Sequence, residues 1–495
     1  MLPLPRPLLL LHRWLGVAIG LIMTIWCLSG FVMLYSDYPR LLPAEQLRGL
    51  EPIAPGAADM LGGIPLAPDT ALATARIEML AGRPVLRIRP AIDPGQPIAQ
   101  MRALPAAYDL ASGQPLAPLS PDDALAAGRS FGRRFGIAGP AESATPIRVD
   151  QWTVQTFRGH QPLYRIDYAD PAGSTAYVAG SDGEIVQQTT RRERILGWLG
   201  AVPHWLYPTI LREDGALWSQ VLIWTSLAGC FLVTAGLWVG LARLRRKRDG
   251  TIRSPYRGHW WWHHVFGLVF GLLTLSWVAS GLFSMNPWGF LDSMAGFAER
   301  DRLAGRVDWG ATRAAFAALP GVPADTVRIE AAPLGGHPLV TAIASDGRIT
   351  RFDAAGRAAP LTRAELQAAL ASGPKLASLE MLREEDSYYY THRFPAKLPV
   401  WRVILADSEQ TRLYIDPDSG ALLRAIDRNG RSFRWLQDGL HSLDLPPLRR
   451  HPLRDIIVLP LLAAVTLICA TGTWMGFSRL RRDLRGLRRR LRRQT

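Results

Sequence analysis

The sequence predicts a membrane α-helical protein: a four-helix transmembrane bundle built as two tandem parallel repeats, each with an external α+β domain. Three observations predict this fold class. Four apolar stretches contain no charged residue, and each is long enough to cross a bilayer, which takes about 20 residues. Basic residues are concentrated in short segments beside these stretches. The second half of the chain repeats residues of the first half at fixed spacing.

Composition restricts the class of protein further. The 495-residue chain is 48% hydrophobic, only 20% charged, and has a formal net charge of +15. Nearly all of this charge lies in residues 1–13, 243–258 and 479–495. Because the rest of the chain is close to neutral, a basic nucleic-acid-binding face on a folded domain is excluded. All three cysteines lie in apolar stretches, which argues against a disulfide framework or a zinc ribbon.

The basic segments orient the chain, because the cytoplasmic flanks of membrane spans carry the positive charge. We interpret the first apolar stretch as a span and not as a signal peptide, since its 23 residues exceed the usual signal length and no A-x-A pattern follows. The predicted order is cytoplasmic N-terminus 1–13, span 14–36, external domain 37–214, span 215–242, basic cytoplasmic loop 243–262, span 263–291, external domain 292–455, span 456–478 and basic cytoplasmic tail 479–495.

The two external segments are predicted to be small α+β domains with antiparallel sheets. Alternating apolar and polar residues between turn signals predict strands at 84–89, 174–178 and 411–415. Ser120 and Thr362 begin patterns that are typical of capped helix starts.

An internal duplication is the strongest signal in the sequence. The pattern His-x3-Gly-x3-Gly-x5-Trp-x2-Ser-Gly begins at His12 and returns at His263, 251 residues later. Near the ends of the external segments, a Trp-x5-His element ends at His204 and returns at His441, 237 residues later. Both halves have the same predicted orientation, so their pseudo-two-fold axis should lie along the membrane normal.

The duplicated histidines are interpreted as haem ligands. His12 and His263 enter the bilayer at its cytoplasmic end, whereas His204 and His441 precede the second and fourth spans on the external side. A two-fold relation would bring one histidine pair together at each surface, as two six-coordinate haems require. Ionisable residues in membranes are by default functional candidates.

Six glycines of the repeat lie on the same helix face as His12 or His263, since successive residues of a helix are rotated by about 100°. A macrocycle beside a helix needs small residues there. The glycines expected beside the inner haem, at the cytoplasmic side, are Gly16, Gly20, Gly267 and Gly271. Those expected beside the outer haem, at the external side, are Gly30 and Gly281.

Alternatives remain open for these residues. Glycines at four-residue spacing also allow close helix packing, and histidines at a membrane boundary can be merely interfacial. His264 is an alternative ligand to His263, although the repeat favours His263 because His264 aligns with Arg13.

An aromatic and basic cluster in the second external domain is a candidate contact for an anionic or aromatic ligand, with strand packing as the alternative. Its members are Tyr388, Tyr389, Tyr390 and Arg393. The chain contains no dinucleotide-binding glycine motif, no P-loop and no HExxH motif. No catalytic residue beyond the haem ligands is predicted.

The sequence resembles the PepSY-associated transmembrane proteins of bacterial inner membranes, a group of iron-regulated membrane proteins that includes ferric-siderophore reductases. The resemblance covers nearly the whole chain and is not specific for one substrate. It rests on the segment Leu11–Gly16, the His263 and Ser280-Gly281 motifs, and the elements Trp198–His204 and Trp435–His441.

The resemblance implies a b-type protein with two haem b groups, two periplasmic PepSY-like domains and cytoplasmic termini. Electrons would pass from the inner to the outer haem and reduce a ferric siderophore or another ferric chelate. Reduction to Fe(II) weakens the hold of hard oxygen ligands. The donor would be external to the chain, either a quinol or a cytoplasmic flavoprotein.

Two other functions are compatible with the sequence. The chain could be a membrane-anchored PepSY module that binds a partner protein without catalysing a reaction. It could also transport the siderophore itself, although the four spans contain no Asp, Glu, Lys or Arg to couple ions.

Overall fold

The structure is a computed structural model that describes residues 5–91, 107–293, 295–353, 356–391 and 395–491, the last five without side chains. The chain forms two compact units. The helical unit comprises Met1–Tyr38, Ile195–Asp292 and Asn429–Thr495. The sheet unit comprises Pro39–Arg194 and Ser293–Arg428.

Helices occur in both units and are numbered here along the chain. The α-helices are α1 Arg6–Met33, α2 Pro43–Arg48, α3 Pro121–Phe135, α4 Arg191–Leu199, α5 Ala201–His204, α6 Thr209–Arg212, α7 Gly215–Arg243, α8 His259–Ser284, α9 Ala295–Ala304, α10 Trp309–Ala317, α11 Arg363–Ala369, α12 Arg428–Phe433 and α13 Leu453–Leu491. A π-helical turn, Arg434–Gly439, follows α12.

Four helices, α1, α7, α8 and α13, are long and apolar enough to cross a membrane, as the sequence predicted. In the helical unit, α1 packs against α7 and α13, and α8 packs against the same two helices. The equivalent helices α1 and α8 therefore lie diagonally opposite each other. The basic tail is not a separate coil, since α13 continues through it to Leu491.

Strands are confined mainly to the sheet unit. They are β1 Leu72–Leu80, β2 Arg83–Pro90, β3 Ala107–Asp109, β4 Ala141–Ile147, β5 Leu163–Tyr168, β6 Thr175–Ala179, β7 Ile185–Thr189, β8 Arg245–Arg246, β9 Ile252–Arg253, β10 Thr326–Leu334, β11 His337–Ala344, β12 Ile349–Phe352, β13 Leu376–Leu382, β14 Val400–Leu405, β15 Arg412–Ile415 and β16 Leu422–Ile426. The short β8–β9 hairpin lies in the basic loop of the helical unit.

One six-stranded sheet contains strands from both halves of the chain, in the order β12-β11-β10-β1-β2-β3. It is joined at β1 and β10, which pair antiparallel with Ile77 opposite Ile329. Both isoleucines belong to a buried core with Trp309 and Phe316 of α10. The two external segments, which the sequence predicts to be separate domains, are therefore connected by this sheet within one unit.

Each half also forms its own antiparallel four-stranded sheet, β4-β5-β6-β7 or β13-β14-β15-β16. The predicted strands at 84–89, 174–178 and 411–415 are confirmed as β2, β6 and β15. The two predicted helix starts are also confirmed, because Ser120 and Thr362 cap α3 and α11 with capping boxes.

A tyrosine–aspartate hydrogen bond is duplicated in these smaller sheets. Tyr177 Oη donates to Asp150 Oδ2 over 2.7 Å, and Tyr414 Oη donates to Asp386 Oδ2 over 2.8 Å. Burial and the adjacent carboxylate raise the pKa of both tyrosines. The two halves therefore share this polar contact at the matched tyrosines Tyr177 and Tyr414.

A buried ionic cluster lies at the junction of the two halves in the six-stranded sheet. Glu78 is only 1% exposed and accepts hydrogen bonds from Arg87 on β2 and Arg328 on β10. Although burial by itself raises the pKa of Glu78, the two guanidinium groups and Arg76 lower it to about 2. The carboxylate is therefore charged whenever this cluster is intact.

We predict that Glu78→Gln lowers the free energy of unfolding by about 3–5 kcal/mol, because two buried guanidinium groups lose their counter-charge. Since the pKa of Glu78 is lowered, its stabilisation is complete above its ordinary value of 4.5 and disappears as the pH falls towards 2. Thermal unfolding of the full chain in detergent at neutral and acidic pH measures both effects. The exposed Glu142 provides the control variant Glu142→Gln; equal midpoints for the two variants at neutral pH would contradict the prediction.

Candidate functional site

Two of the duplicated histidines form a pair between diagonally opposite helices. His12 belongs to α1 and His263 to α8, and we call them the helix pair. Their ring centroids are 6.2 Å apart and their planes are inclined by 39°. His12 Nδ1 lies 3.0 Å from the Leu232 carbonyl oxygen of α7, and His263 Nδ1 lies 3.0 Å from the Ile468 carbonyl oxygen of α13.

A glycine one turn further along each neighbouring helix makes this approach possible. In an α-helix the carbonyl of residue i accepts a hydrogen bond from the N–H of residue i+4. The residue at i+4 is Gly236 for Leu232 and Gly472 for Ile468. A Cβ added to Gly236 would lie 2.7 Å from the imidazole Cε1 of His12. A Cβ on Gly472 would lie 2.9 Å from the imidazole Cε1 of His263. Each imidazole of the helix pair therefore lies directly against a glycine.

The other duplicated histidines form a second pair, which we call the loop pair. His204 is the last residue of α5, and His441 follows the π-helical turn. Their ring centroids are 5.9 Å apart and their planes are inclined by 66°. The structure therefore brings together the same partners that the two-fold repeat predicted.

The loop pair makes one hydrogen-bond pattern twice. His204 Nδ1 lies 3.1 Å from the Trp26 carbonyl oxygen and 3.0 Å from Ser29 Oγ, both on α1. Ser29 is buried, and its hydroxyl donates to the same carbonyl over 3.0 Å. In the second half the corresponding atoms are His441 Nδ1, the Trp277 carbonyl oxygen at 3.1 Å and Ser280 Oγ at 3.1 Å.

These contacts fix the tautomer of all four imidazoles. A backbone carbonyl can only accept a hydrogen bond, so Nδ1 carries the proton and Nε2 keeps its lone pair. Within the described residues, each of the four rings makes its hydrogen bonds through Nδ1. Histidines that bind metals usually donate their other N–H in this way, which orients the ligating nitrogen.

Electrostatics in the loop pair also favour the neutral imidazole. Burial, with the neighbouring His441 as a smaller cause, lowers the pKa of His204 to about 4. Burial lowers the pKa of His441 as well. At neutral pH both rings can therefore offer Nε2 as a ligand.

The ring separations match those of two imidazoles on opposite sides of one metal ion. A metal–imidazole nitrogen bond is about 2.0–2.1 Å, and this nitrogen lies about 1.2 Å from its ring centroid, so two axial rings have centroids about 6.4 Å apart. The observed values are 6.2 Å for the helix pair and 5.9 Å for the loop pair.

The hydrogen bonds of residues near the two loop histidines differ. Beside His204, Trp218 Nε1 donates to the Trp205 carbonyl over 2.9 Å. Beside His441, the buried Arg434 donates to the Asp444 carbonyl over 2.8 Å, and Arg449 Nε donates to the Asp444 carboxylate over 2.8 Å. The contacts of the two rings themselves are thus duplicated, while these neighbouring contacts differ.

A cavity of about 390 Å³ in the helical unit adjoins the helix pair, and both imidazoles line it. All four glycines predicted beside the inner haem also line it: Gly16, Gly20, Gly267 and Gly271. A Cβ on Gly267 would meet no atom within 4 Å, and a Cβ on Gly16 would meet only a Leu232 methyl at 3.9 Å. These two glycines leave open space beside the imidazoles.

The other predicted glycines pack against side chains. A Cβ on Gly20 would lie 3.1 Å from Thr473 Oγ1, and one on Gly271 would lie 2.5 Å from a Leu237 methyl. Both therefore also allow close helix packing. A Cβ on Gly30 would lie 3.5 Å from a Leu462 methyl, and one on Gly281 would lie 3.5 Å from His441 Cε1.

His264, the alternative ligand, has both ring nitrogens engaged. Its Nδ1 lies 2.9 Å from Ser254 Oγ, and its Nε2 lies 2.9 Å from the Gly240 carbonyl oxygen. The structure pairs His263, and not His264, with His12.

The tyrosine cluster of the second external segment packs within the sheet unit. Tyr389 and Tyr390 are buried, and Tyr389 stacks on Tyr414 with ring centroids 4.9 Å apart. Tyr388 packs against the same cluster. These contacts are those expected if the cluster packs the strands and does not contact a ligand. Arg393 lies outside the described residues.

Four residues that support the pairs had no predicted role. Gly236 and Gly472 admit the imidazoles of the helix pair, and Ser29 and Ser280 contact those of the loop pair. Ser29 and Ser280 belong to the repeated histidine pattern, and Gly236 and Gly472 each begin the sequence Gly-x-Trp-x-Gly-x2-Arg, so this repetition was the available signal. Their role depends on which helix faces each ring, which the repeat alone does not specify.

No protein-family model matches this chain, and no curated protein matches it either.

We predict that Gly236→Ala destabilises the helical unit. The new methyl group would lie 2.7 Å from His12 Cε1, so the ring must leave the Leu232 carbonyl. Overpacking costs about 1–3 kcal/mol, against a gain of about 1 kcal/mol from replacing a helical glycine by alanine. Gly472→Ala should behave in the same way.

The control is Gly486→Ala on α13, where an added Cβ meets no atom within 4 Å and only the helix-propensity gain remains. Melting temperatures of the full chain in detergent compare the variants. A Gly236→Ala midpoint equal to or above that of Gly486→Ala would show that the imidazole does not depend on the missing side chain.

Proposed function

We propose that this protein is a b-type dihaem electron-transfer protein of the bacterial inner membrane that reduces a ferric chelate on the periplasmic side, as ferric-siderophore reductases do. One observation carries the proposal: two equivalent imidazole pairs have ring centroids 6.2 and 5.9 Å apart, and all four rings hold Nδ1 on an acceptor.

The residues present fit a haem at each pair. Each imidazole pair would hold a haem iron, and the tetrapyrrole would supply the iron's other ligands. The helix pair also has a cavity beside it and glycines that leave open space. Bound haem would supply one-electron redox chemistry, while the protein sets ligation, spacing and access.

The chain itself separates the two pairs along α1. His12 belongs to the helix pair, and Ser29, 17 residues further on, contacts the loop pair. At about 1.5 Å per residue this is a rise of about 25 Å, close to the thickness of a bilayer's hydrocarbon core of about 30 Å. The two sites would therefore lie near opposite membrane surfaces.

Apolar side chains fill the space between the two pairs. Met23, Trp26, Phe270, Trp277 and Cys469 belong to one hydrophobic cluster of the helical unit. Met23 and Cys469 also line the cavity, so this cluster adjoins the helix pair.

The membrane location and orientation rest on two supports. Four helices are long and apolar enough to cross a bilayer, and the three basic segments flank them on the side where the positive-inside rule expects the cytoplasm. The helix pair would then be cytoplasmic and the loop pair periplasmic. A quinol or a cytoplasmic flavoprotein would be the electron donor, and the sheet unit would be periplasmic and PepSY-like.

We predict that the purified protein carries two haem b groups per chain and shows a sharp reduced b-type spectrum. His12→Ala or His263→Ala should remove one haem, and His204→Ala or His441→Ala should remove the other, because each haem loses an axial ligand. The pyridine haemochrome assay measures the haem content. His337→Ala, at an exposed position of β11, is the control and should keep both haems.

A colourless wild-type protein, expressed with ample haem, would contradict this proposal. It would favour the alternative in which the helices only anchor a module that binds a partner. Full haem content in all four ligand variants would likewise show that the histidines are packing residues.

We further predict that the reduced protein transfers its electrons to a ferric chelate. After anaerobic reduction and removal of the reductant, mixing with a ferric hydroxamate should reoxidise the protein and release about two Fe(II) per chain, which an Fe(II)-specific dye traps. His441→Ala should slow this reaction at least tenfold, since the site nearer the substrate is lost. A reduced dihaem protein that the chelate does not reoxidise would leave the haem assignment intact and refute the reductase function.

A further inference from the structure

Arginine side chains line the cavity beside the helix pair, and among the residues that the structure describes no acidic side chain does. Two of these arginines, Arg479 and Arg482, are exposed, and Arg479 pairs with Asp483 over 3.1 Å. The other two, Arg13 and Arg243, are half-buried and have no ion pair among the described residues. The cavity therefore has uncompensated positive charge at its lining.

The Nε atoms of Arg13 and Arg243 are buried and have no hydrogen-bond partner in the described part of the chain. An arginine Nε–H that is withdrawn from water without an acceptor costs free energy. On a cavity whose described lining has four arginines and no carboxylate, two such groups fit an anionic ligand with at least two acceptor groups. Guanidinium groups bind carboxylates and phosphates through paired hydrogen bonds.

The sequence places both arginines next to the helix pair. Arg13 follows His12 directly, and its guanidinium carbon lies 4.9 Å above the Trp14 ring. Arg243 lies seven residues, or two helical turns, beyond Gly236, so both are on the same face of α7. An anion at these arginines would therefore belong to the same ligand that lies against the imidazoles.

We propose that Arg13 and Arg243 bind the carboxylate side groups of the macrocycle at the helix pair, so that this site selects a tetrapyrrole with free carboxylates. The inference rests on the proposed function, because it requires a haem at that pair. It assigns the apolar, glycine-lined part of the cavity to the ring and the arginines to its two acidic substituents. The same guanidinium charges should raise the reduction potential of this haem, because they favour the form with one more electron.

Reconstitution of the full chain with two porphyrins tests the proposal. The His441→Ala background leaves only the helix pair to ligate, and the probes are haem b and its dimethyl ester, in which both carboxylates are uncharged. In this background haem should bind about tenfold or more tightly than the ester, since a hydrogen bond to a charged group is lost at each arginine. Arg13→Gln together with Arg243→Gln should weaken haem binding, leave ester binding unchanged, and lower the midpoint potential.

Arg481→Gln is the matched control, because Arg481 is an exposed arginine of the same basic region that does not line the cavity. It should keep the preference for haem over the ester. Arg13→Lys with Arg243→Lys keeps the charge and should retain part of the preference, which separates loss of binding from failure to fold. If the His441→Ala protein, with Arg13 and Arg243 unchanged, bound haem and the ester with equal affinity, the inference would be overturned while the dihaem assignment stayed intact.

An anionic lipid headgroup has related chemistry and is distinguished in the same experiment. Reconstitution is repeated in nanodiscs of phosphatidylcholine alone and with phosphatidylglycerol. If the arginines bind the macrocycle, the preference for haem over the ester is the same in both. A preference that phosphatidylglycerol abolishes would assign the arginines to lipid phosphate and overturn the inference. A wild-type protein that binds no haem would overturn the proposed function, and this inference with it.

Discussion

The geometry of both sites depends on one interaction, the hydrogen bond from an imidazole Nδ1–H to a backbone carbonyl of a neighbouring helix. The carbonyl cannot donate, so it fixes the tautomer as well as the direction of the ring. His12 and His263 use carbonyls of α7 and α13, and His204 and His441 use carbonyls of α1 and α8. Each long helix thus holds one ring through a rigid backbone atom, and the lone pair of Nε2 remains available.

The duplication explains why two such pairs exist. A single histidine–carbonyl contact, copied with its helix and related by a two-fold axis, produces a facing pair without any new interaction. Contacts further from the rings have diverged in part. An ion pair of Arg434 with Asp444 lies beside the second loop histidine, whereas a tryptophan hydrogen bond lies beside the first. The buried Glu78 cluster connects the two halves through Arg76-Ile77-Glu78 and its counterpart Arg328-Ile329-Glu330. Symmetry is retained where the two rings must meet.

The sequence predicted the four long helices, the histidine partners and several strands, because charge-free length, fixed spacing and alternation are local signals. It did not predict the shared sheet, since the pairing of β1 with β10 is a contact between residues about 250 positions apart, and the Arg-Ile-Glu triplet that both strands contain does not specify that they pair. It assigned six glycines to one role, whereas Gly267 leaves open space and Gly271 packs against Leu237. The carbonyl that receives each imidazole, and hence the role of Gly236 and Gly472, follows only from helix packing.

The most direct test of paired axial imidazoles is the electron paramagnetic resonance spectrum of the oxidised protein. The account predicts two low-spin ferric haems with different anisotropy, because the relative orientation of the axial planes influences the g-tensor and the imidazole planes are inclined by 39° in one pair and 66° in the other. Each signal should disappear when a histidine of its own pair is replaced. A high-spin ferric signal from haem-loaded protein, or low-spin signals that survive these replacements, would contradict the account.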